Sequence, residues 1–257
     1  MMGDGKQVAV LTGASSGIGY AVAQRMAQEG YSLVLGSRRP EQAAERLKAD
    51  YKIEVAPVAG DLAEPETAHA LVEAAQRLGG VDALFLNHGG PPVKSFMDVS
   101  DKDWETSFRL MVQGPLRLLR ETVPLFRARG GGRVVAISSF TVKSPYPGII
   151  LSNSLRAALV NALKTVAQEL GPEGILVNAV GPGHIRTERT VSWNEGYAKR
   201  EGVSVAEVES RTIAGIPLKR FGKPEEVAEM ISFLLSTRNG YVTGQQILVD
   251  GGFVPAL

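Results

Sequence analysis

Short runs of β-branched and other aliphatic residues alternate with longer, helix-length segments along most of this 257-residue chain. Apolar runs of this length, separated by segments long enough for a crossover helix, are typical of parallel strands buried on both faces. We therefore expect an α/β fold in which helices cover both faces of a parallel sheet. The predicted strands are residues 7–13, 31–37, 51–60, 82–87, 132–139, 175–182 and 245–252.

Helix signals lie between these strands. Pro65 and Pro224 suit the first turn of a helix, and Ser100 or Asp101 suits the cap of a long helix that contains Trp104. The predicted helices are residues 17–29, 40–50, 64–78, 101–129, 151–170 and 224–236.

Residues 186–216 depart from this alternation. They are polar, they include Trp193 and Tyr197, and they show no periodicity that would bury one face. We predict an irregular insertion here. It is either a lid over a site at the carboxyl ends of the strands or an ordinary surface excursion.

Composition excludes several classes of function. The net charge is +1 with no run of Lys or Arg, so we expect no nucleic-acid partner. The absence of cysteine excludes disulfides and thiolate catalysis, and with His69, His88 and His184 scattered we expect no metal site. The N-terminus lacks a signal-peptide profile, and no apolar run approaches the ~20 residues that span a bilayer. A cytoplasmic protein without a membrane partner is therefore expected.

The segment TGASSGIG, Thr12 to Gly19, follows the first predicted strand and leads into a helix. Gly13 permits a tight turn, Gly17 lets the backbone approach a pyrophosphate, and Gly19 lets helix and strand pack closely. Free amides at the helix N-terminus then favour phosphate. A plain strand–helix turn is the alternative, but the position after a first strand favours a dinucleotide site. Its predicted residues are Gly13, Ser15, Ser16, Gly17, Ile18 and Gly19.

The end of the second strand bears on the choice of cofactor. An acidic residue here would bind the ribose hydroxyls of NAD, whereas this chain has Ser37, Arg38 and Arg39. A guanidinium suits the 2′-phosphate of NADP. We therefore favour NADP(H), with NAD(H) possible; the alternative is a solvated pair of arginines at a helix start.

Two further strand ends contribute candidate cofactor residues. Asp61, with Leu62 beside it, follows the third strand and suits a hydrogen bond to the adenine edge. Asn87, His88 and Gly89 end the fourth strand and suit the region beneath the adenosine ribose.

Six segments together resemble the short-chain dehydrogenase/reductase family. They are TGASSGIG, GDL at 60–62, NHGG at 87–90, ISS at 137–139, VNAVGPGHIRT at 177–187 and VDGG at 249–252. The resemblance implies one doubly wound Rossmann domain over residues 1–257, with a seven-stranded parallel sheet. It also implies an oxidoreductase acting on a small carbonyl compound or alcohol. Many relatives with this C-terminal half are similar to reductases of 3-oxoacyl groups on acyl carrier protein.

The resemblance extends to assembly and to the last cofactor residues. Relatives form homodimers or homotetramers through their last two long helices or their C-terminal edge. Residues of the sixth strand end complete the implied cofactor set, namely Pro182, Gly183, Ile185 and Thr187.

The implied catalytic residues are where this chain departs from the family. Members carry an Asn in the fourth helix, a Ser after the fifth strand, and Tyr-x-x-x-Lys on the next helix. Ser139 matches the Ser, but Met111 matches the Asn position, and Ser152 and Arg156 match the Tyr and Lys. The motif is therefore Ser-x-x-x-Arg.

This departure changes the available chemistry. A serine hydroxyl is far less acidic than a phenol, which titrates near pH ~10 and is lowered by an adjacent cation. Ser152 is therefore not expected to move the proton. Arg156, whose pKa exceeds ~12, keeps a cofactor-holding role but loses the proton-relay role of Lys.

The resemblance implies that Ser139 polarises the substrate oxygen, and two other residues are candidate substitutes for the missing proton donor. Tyr146, with Lys143 as its cation, lies in the loop before the helix; the alternative is a loop tyrosine packed beside its flanking prolines. His184 follows the turn that borders the nicotinamide pocket in relatives, and a histidine near neutrality suits proton donation. Its alternative is a plain wall of the pocket.

Three functions remain open from the sequence. The first is an NADP(H)-dependent oxidoreductase with a non-standard proton donor. The second is a catalytically inactive NADP(H)-binding sensor, favoured by the missing Tyr, Lys and Asn. The third is a regulatory or structural subunit that assembles with an active relative.

Overall fold

A seven-stranded parallel sheet, in the order β3-β2-β1-β4-β5-β6-β7, forms the centre of the molecule. The computed structural model describes residues 6–256. The strands are β1 Val8–Thr12, β2 Ser32–Ser37, β3 Val55–Ala59, β4 Ala83–Leu86, β5 Gly132–Ile137, β6 Ile175–Pro182 and β7 Gln246–Val249. The predicted α/β class and the seven-stranded sheet are confirmed.

Nine α-helices occur within residues 6–256. They are α1 Gly17–Gln28, α2 Glu41–Tyr51, α3 Pro65–Arg77, α4 Asp101–Phe108, α5 Gly114–Ala128, α6 Ile150–Leu170, α7 Glu188–Glu201, α8 Val205–Gly215 and α9 Pro224–Leu235. Ser100 caps α4, because its hydroxyl accepts the amide of Asp103 while the Asp103 carboxylate accepts the amide of Ser100.

Both faces of the sheet are covered because each strand is apolar on both sides. In β1, Leu11 joins the core beneath α1, α2 and α9, whereas its neighbour Val10 joins the core beneath α3, α5 and α6. In β4, Phe85 and Leu84 divide in the same way, and both are fully buried. Burying each such side chain contributes about 1.5–3 kcal/mol, which explains the unbroken apolar runs.

The third strand is shorter than predicted. Helix α2 continues to Tyr51, and Lys52 then takes a left-handed conformation with φ 55° that ends the helix. Residues 52–54 are therefore used to turn the chain, and the strand begins at Val55.

The long helix predicted at 101–129 is interrupted. A π-helical segment, Arg109–Gln113, separates α4 from α5. Met111 lies in this segment, has no exposed surface, and packs with Leu151 and Leu155 of α6. The residue at the family's Asn position is thus part of the core.

The prediction of an irregular insertion at 186–216 was wrong, because this segment forms α7 and α8. Their N-termini have ordinary caps, since the Thr187 and Ser204 hydroxyls accept backbone amides. Few of their residues are buried, Ala198 and Val208 among them, so the segment lacks the apolar periodicity by which a helix is recognised.

The topology places a ligand site at one edge of the sheet. The chain runs outward from β1 through β2 to β3 and then returns to β4 on the other side of β1. The loops that leave β1 and β4 diverge there, and ligands of doubly wound sheets bind in the crevice at such a point, at the carboxyl ends of the strands.

Candidate active site

A cleft of about 920 Å³ lies at this edge. It is lined by the ends of six strands, represented by Gly13, Ser37, Asp61, Asn87, Ser139 and Pro182. The structure brings together every residue that the sequence suggested for the cofactor. These are Gly13, Ser15, Ser16, Gly17, Ile18, Gly19, Ser37, Arg38, Arg39, Asp61, Leu62, Asn87, His88, Gly89, Arg156, Pro182, Gly183, Ile185 and Thr187.

The turn between β1 and α1 has no room for side chains. A Cβ added to Gly19 would lie 2.0 Å from the carbonyl oxygen of Gly13. Gly13 and Gly17 have φ of 56° and 53°, a left-handed region that other residues rarely adopt. Helix α1 has no side-chain cap and no acidic residue in its first turn, so its free amides face the cleft as an anion site.

Thr12 and Asn87 hold this turn against the end of β4. The Thr12 hydroxyl donates to the Asn87 carbonyl oxygen at 2.7 Å and accepts the Asn87 amide at 2.9 Å. The Asn87 side chain donates to the Gly13 carbonyl oxygen at 2.9 Å and accepts the His88 amide. Asn87 was suggested as a contact to the ribose, yet its side chain is used to position the two loops. Thr12 was not singled out from sequence.

Arg38 and Arg39 lie at the far end of the cleft, and both are exposed. The Ser37 hydroxyl accepts the amide of Arg39 at 3.2 Å, which fixes the backbone where β2 ends. Two cations on an ordered turn, beside the site where an adenosine ribose would lie, fit a 2′-phosphate.

Ser139, Ser152 and Arg156 meet at the other end of the cleft. The Ser139 hydroxyl accepts the amide of Thr141 at 3.1 Å. Arg156 Nε donates to Ser152 Oγ at 3.2 Å, and its Nη1 donates to the Ser138 carbonyl oxygen at 2.8 Å. The guanidinium is therefore fixed between α6 and the end of β5, and both serine hydroxyls keep their protons free for another acceptor.

This end of the cleft is cationic. Burial, and secondly the charge of Arg189, lower the pKa of Arg156 to about 10, so Arg156 remains protonated at neutral pH. Burial also lowers the pKa of Arg189. Burial first, and then the charge of Arg156, lower the pKa of His88 to about 3.

His88 is therefore neutral, and its tautomer follows from its contacts. Its Nδ1 lies 2.7 Å from the carbonyl oxygen of Gly89, which only accepts hydrogen bonds, so Nδ1 carries the proton. Its buried Nε2 is then an acceptor, and no residue within 6–256 gives it a partner.

His184 lines the cleft inside a group of aromatic rings. Its ring centroid lies 4.8 Å from that of Phe253, 5.3 Å from Phe140 and 6.4 Å from Phe221. Burial lowers its pKa, which favours the neutral ring. Sequence reasoning missed this surrounding group, because Phe253 comes from the far end of the chain.

Tyr146 lies apart from the residues that line the cleft. It is 36% exposed, and its ring packs edge-on against Trp193 of α7 with centroids 6.2 Å apart. Trp193 itself lines the cleft. Tyr146 is therefore placed behind Trp193, and the assignment of Tyr146 as a donor remains a prediction.

Comparison with known proteins agrees with this architecture. A family model described as Enoyl-(Acyl carrier protein) reductase matches residues 13–254. Dehydrogenase/reductase SDR family member 4 of Bos taurus is 36% identical over 252 residues, which cover 96% of this chain and 86% of the relative. The chain belongs to the short-chain dehydrogenase/reductase family. The family expected from the sequence is thereby confirmed.

Two further relatives of this short-chain dehydrogenase/reductase carry cofactor information in their descriptions. NADPH-dependent reductase BacG of Bacillus subtilis (strain 168) is 31% identical over 258 residues, covering 98% of this chain and 99% of the relative. The solved structure of L-sorbose reductase from Gluconobacter frateurii, complexed with NADPH and L-sorbose, superposes with a TM-score of 0.94. It is 36% identical and covers 100% of this chain and 99% of its own. These descriptions agree with the expected oxidoreductase and with NADP(H).

Within residues 6–256, no helix is long and apolar enough to cross a membrane. The same part of the chain holds no group of three acidic or histidine side chains placed to bind a metal ion.

Proposed function

We propose that this protein is an NADP(H)-dependent oxidoreductase that interconverts a small carbonyl compound and its alcohol. The observation that carries the proposal is the convergence of all the suggested cofactor residues on one cleft that also contains Ser139. The glycine turn, the exposed Arg38 and Arg39, and the opposite, cationic end at Arg156 fit the successive parts of a phosphorylated dinucleotide.

Each part of the cleft has a separate task in this proposal. The amides at the start of α1 bind the pyrophosphate, and Arg38 and Arg39 bind the 2′-phosphate. Arg156, fixed by the Ser138 carbonyl oxygen, donates to the nicotinamide ribose. When bound, the dinucleotide supplies or accepts a hydride at its nicotinamide ring.

Ser139 and Ser152 act on the oxygen of the substrate. Both hydroxyls accept a hydrogen bond within the protein, from the Thr141 amide and from Arg156 respectively. Each therefore has its own proton directed elsewhere, and together they suit donation to a developing oxyanion. Neither is acidic enough to give up that proton at neutral pH.

The proton itself must come from another group, and we propose the protonated form of His184 ahead of Tyr146, since burial lowers the pKa of His184 and makes that form a stronger acid. His184 lines the cleft, whereas Tyr146 lies behind Trp193. Replacing His184 by Phe is expected to lower kcat by about 10²–10⁴-fold if it donates the proton. An unchanged kcat would remove His184, and the same test on Tyr146→Phe would remove Tyr146.

The proposal extends to the whole chain. In it, residues 1–257 make up a single dinucleotide-binding domain, and α7, with α8 packed against it, acts as a lid, since Thr187 to Thr190 and Trp193 line the cleft. The protein works in the cytoplasm as a homodimer or homotetramer.

An assay of NADPH-dependent carbonyl reduction tests the proposed function. Oxidation of NADPH is measured with a panel of aldehydes, ketones and oxo acids, after NADPH binding has been established by fluorescence. Turnover of at least one class is expected. Tight binding without turnover of any class would favour the second candidate, a catalytically inactive NADP(H)-binding sensor or regulatory subunit, which the serine at position 152 supports.

A further inference from the structure

Arg156 and Arg189 approach one another in the cleft without an acidic partner. Arg156 comes from α6 and Arg189 from the first turn of α7, and the charge of Arg189 acts on Arg156. Among residues 6–256, no carboxylate forms an ion pair with either guanidinium, although ten carboxylate–guanidinium pairs occur elsewhere in that part of the chain. Arg156 is half-buried and Arg189 is exposed to the cleft, so two like charges lie close together and an anion bound there would relieve their repulsion.

Arg189 is the cation with free donors. The Nε and Nη1 groups of Arg156 are held by Ser152 and Ser138, whereas no hydrogen bond of the Arg189 side chain occurs within the described part of the chain. The Arg189 guanidinium packs against Gly90, where an added Cβ would lie 1.8 Å from Nη2. The glycine at position 90 thus makes room for this guanidinium.

Arg156 and Arg189 lie away from the β1–α1 turn that is proposed to bind the pyrophosphate. The turn follows β1. Thr187, the residue that caps α7, lies next to this turn, because its Cγ2 would be 3.6 Å from a Cβ added to Gly17. Arg156 is bound to the end of β5, which lies two strands away from β1 across β4. Two strand spacings are about 10 Å, so the pair faces the reacting end of the cleft.

Unsatisfied polar atoms lie at the same end. Thr141 and His88 are buried, with 2% and 8% of their residue surface exposed. The Thr141 hydroxyl and the Nε2 atom of His88 have no hydrogen-bond partner in residues 6–256. The indole nitrogen of Trp193 is in the same condition, and all three residues line the cleft. Buried polar groups are normally satisfied, so these three atoms mark this end of the cleft as polar and incompletely paired.

We propose that Arg189, reinforced by the charge of Arg156, binds a carboxylate of the substrate. The substrate class is then an oxo acid, or the matching hydroxy acid, whose carboxylate lies close to the reacting carbon. This inference rests on the proposed function and names the substrate class of the same site. The aromatic rings around His184 leave an apolar wall for the remainder of the substrate.

The test compares a charged substrate with an uncharged one. NADPH oxidation is measured with a short 2-oxo acid and with its methyl ester, in the wild type, Arg189→Gln and Arg189→Lys. The wild type is expected to prefer the acid. Arg189→Gln should raise KM for the acid by about 10–100-fold, the loss of a charge-assisted hydrogen bond, with KM for the ester unchanged, and Arg189→Lys should retain part of the difference.

A matched control removes the same charge elsewhere on α7. Arg200 is exposed, stacks on Tyr197 and lies outside the cleft, so Arg200→Gln should leave both KM values unchanged. Circular dichroism and the melting temperature show whether each variant is folded. If Arg189→Gln unfolds, the Arg189→Lys result decides.

Further measurements separate this inference from the proposed function. NADPH affinity is measured by fluorescence, and binding of oxamate, an unreactive carboxylate, to the NADPH complex is measured by calorimetry. Oxamate binding that Arg189→Gln weakens, with NADPH affinity unchanged, would support the carboxylate site even without turnover. An equal loss of NADPH affinity would assign Arg189 to a cofactor phosphate and overturn it, as would a wild-type preference for the ester. Absence of NADPH binding would instead overturn the proposed function.

Discussion

At the scale of single residues, Ser152 and Arg156 decide what chemistry the cleft can perform. Arg156 is fixed by the Ser138 carbonyl oxygen and stays cationic, so it can bind a ligand but cannot relay a proton. Ser152 accepts a hydrogen bond from Arg156 and can donate its own proton as a hydrogen bond. The pair therefore stabilises charge without acting as an acid.

Restoring the family's residues tests this reading of the pair. The double variant Ser152→Tyr/Arg156→Lys introduces a phenol whose pKa is lowered by an ammonium group. Because general acid catalysis contributes about 10²–10⁴-fold, kcat for carbonyl reduction should rise by at least about tenfold. Steady-state kinetics with NADPH in excess measures this. An unchanged kcat, with NADPH binding retained, would show that proton transfer is not what limits the wild type.

His88 gives a prediction for stability against pH. Its pKa is lowered from 6.5 to about 3 in the folded protein, so between these values the unfolded chain binds a proton that the folded chain does not. The free energy of unfolding should therefore fall as the pH falls below 6.5, by up to about 1.4 kcal/mol per pH unit from this group.

Urea unfolding of the wild type and His88→Gln at pH 5.0 to 6.5 measures this effect. Most carboxylates remain ionised in that range, and His184 is common to both proteins. The variant should lose most of the slope that His88 contributes. Equal slopes in the two proteins would contradict a buried, neutral His88.

At the scale of elements, the β1–α1 turn is the part of the site with the least tolerance for change. In Gly19→Ala, the new methyl group would meet the Gly13 carbonyl oxygen at 2.0 Å, so the helix must move away from the turn. We expect a loss of about 1–3 kcal/mol in the free energy of unfolding and a marked loss of NADPH affinity.

Gly171→Ala is the control for this substitution. Gly171 has φ −54°, and an added Cβ has no neighbour within 4 Å. This variant should keep the stability and NADPH affinity of the wild type. Wild-type affinity in Gly19→Ala would contradict the role given to the turn.

The elements that could be predicted from the sequence are those whose burial leaves a local pattern. The strands were found because residues such as Val10 and Leu11 are buried on opposite faces. Helices α7 and α8 were missed because their polar sequences bury little. The π-helical segment at Met111 has no local signal, since it depends on packing against α6.

The residues of the candidate site also fall into those with a local sequence signal and those without one. The glycine turn follows β1 directly, and Arg38 and Arg39 follow β2 directly, so their roles could be inferred from their positions in the sequence. Arg189 was missed because its partners, Gly90 and Arg156, are distant in sequence. No local pattern indicates that α6 and α7 bring these two cations together beside the loop that follows β4.

At the scale of the whole molecule, the sheet ends at a partly exposed edge. All four residues of β7 are only partly buried, and Tyr241 beside this strand is 98% exposed. An edge strand with free backbone groups is usually covered. We expect light scattering to give two or four times the chain mass of 27.4 kDa. A single species of 27.4 kDa at micromolar concentration would contradict the homo-oligomer.

The proposed function requires this cleft to transfer a hydride between NADP(H) and a carbonyl carbon although position 152 carries no phenol. Mass spectrometry of the product formed with NADPH deuterated at C4 of the nicotinamide tests it most directly, with oxo acids and ketones as substrates. We predict an alcohol that carries one deuterium on the former carbonyl carbon, formed from one face of the nicotinamide only. Tight NADPH binding with no transfer of deuterium to any substrate would contradict the claim.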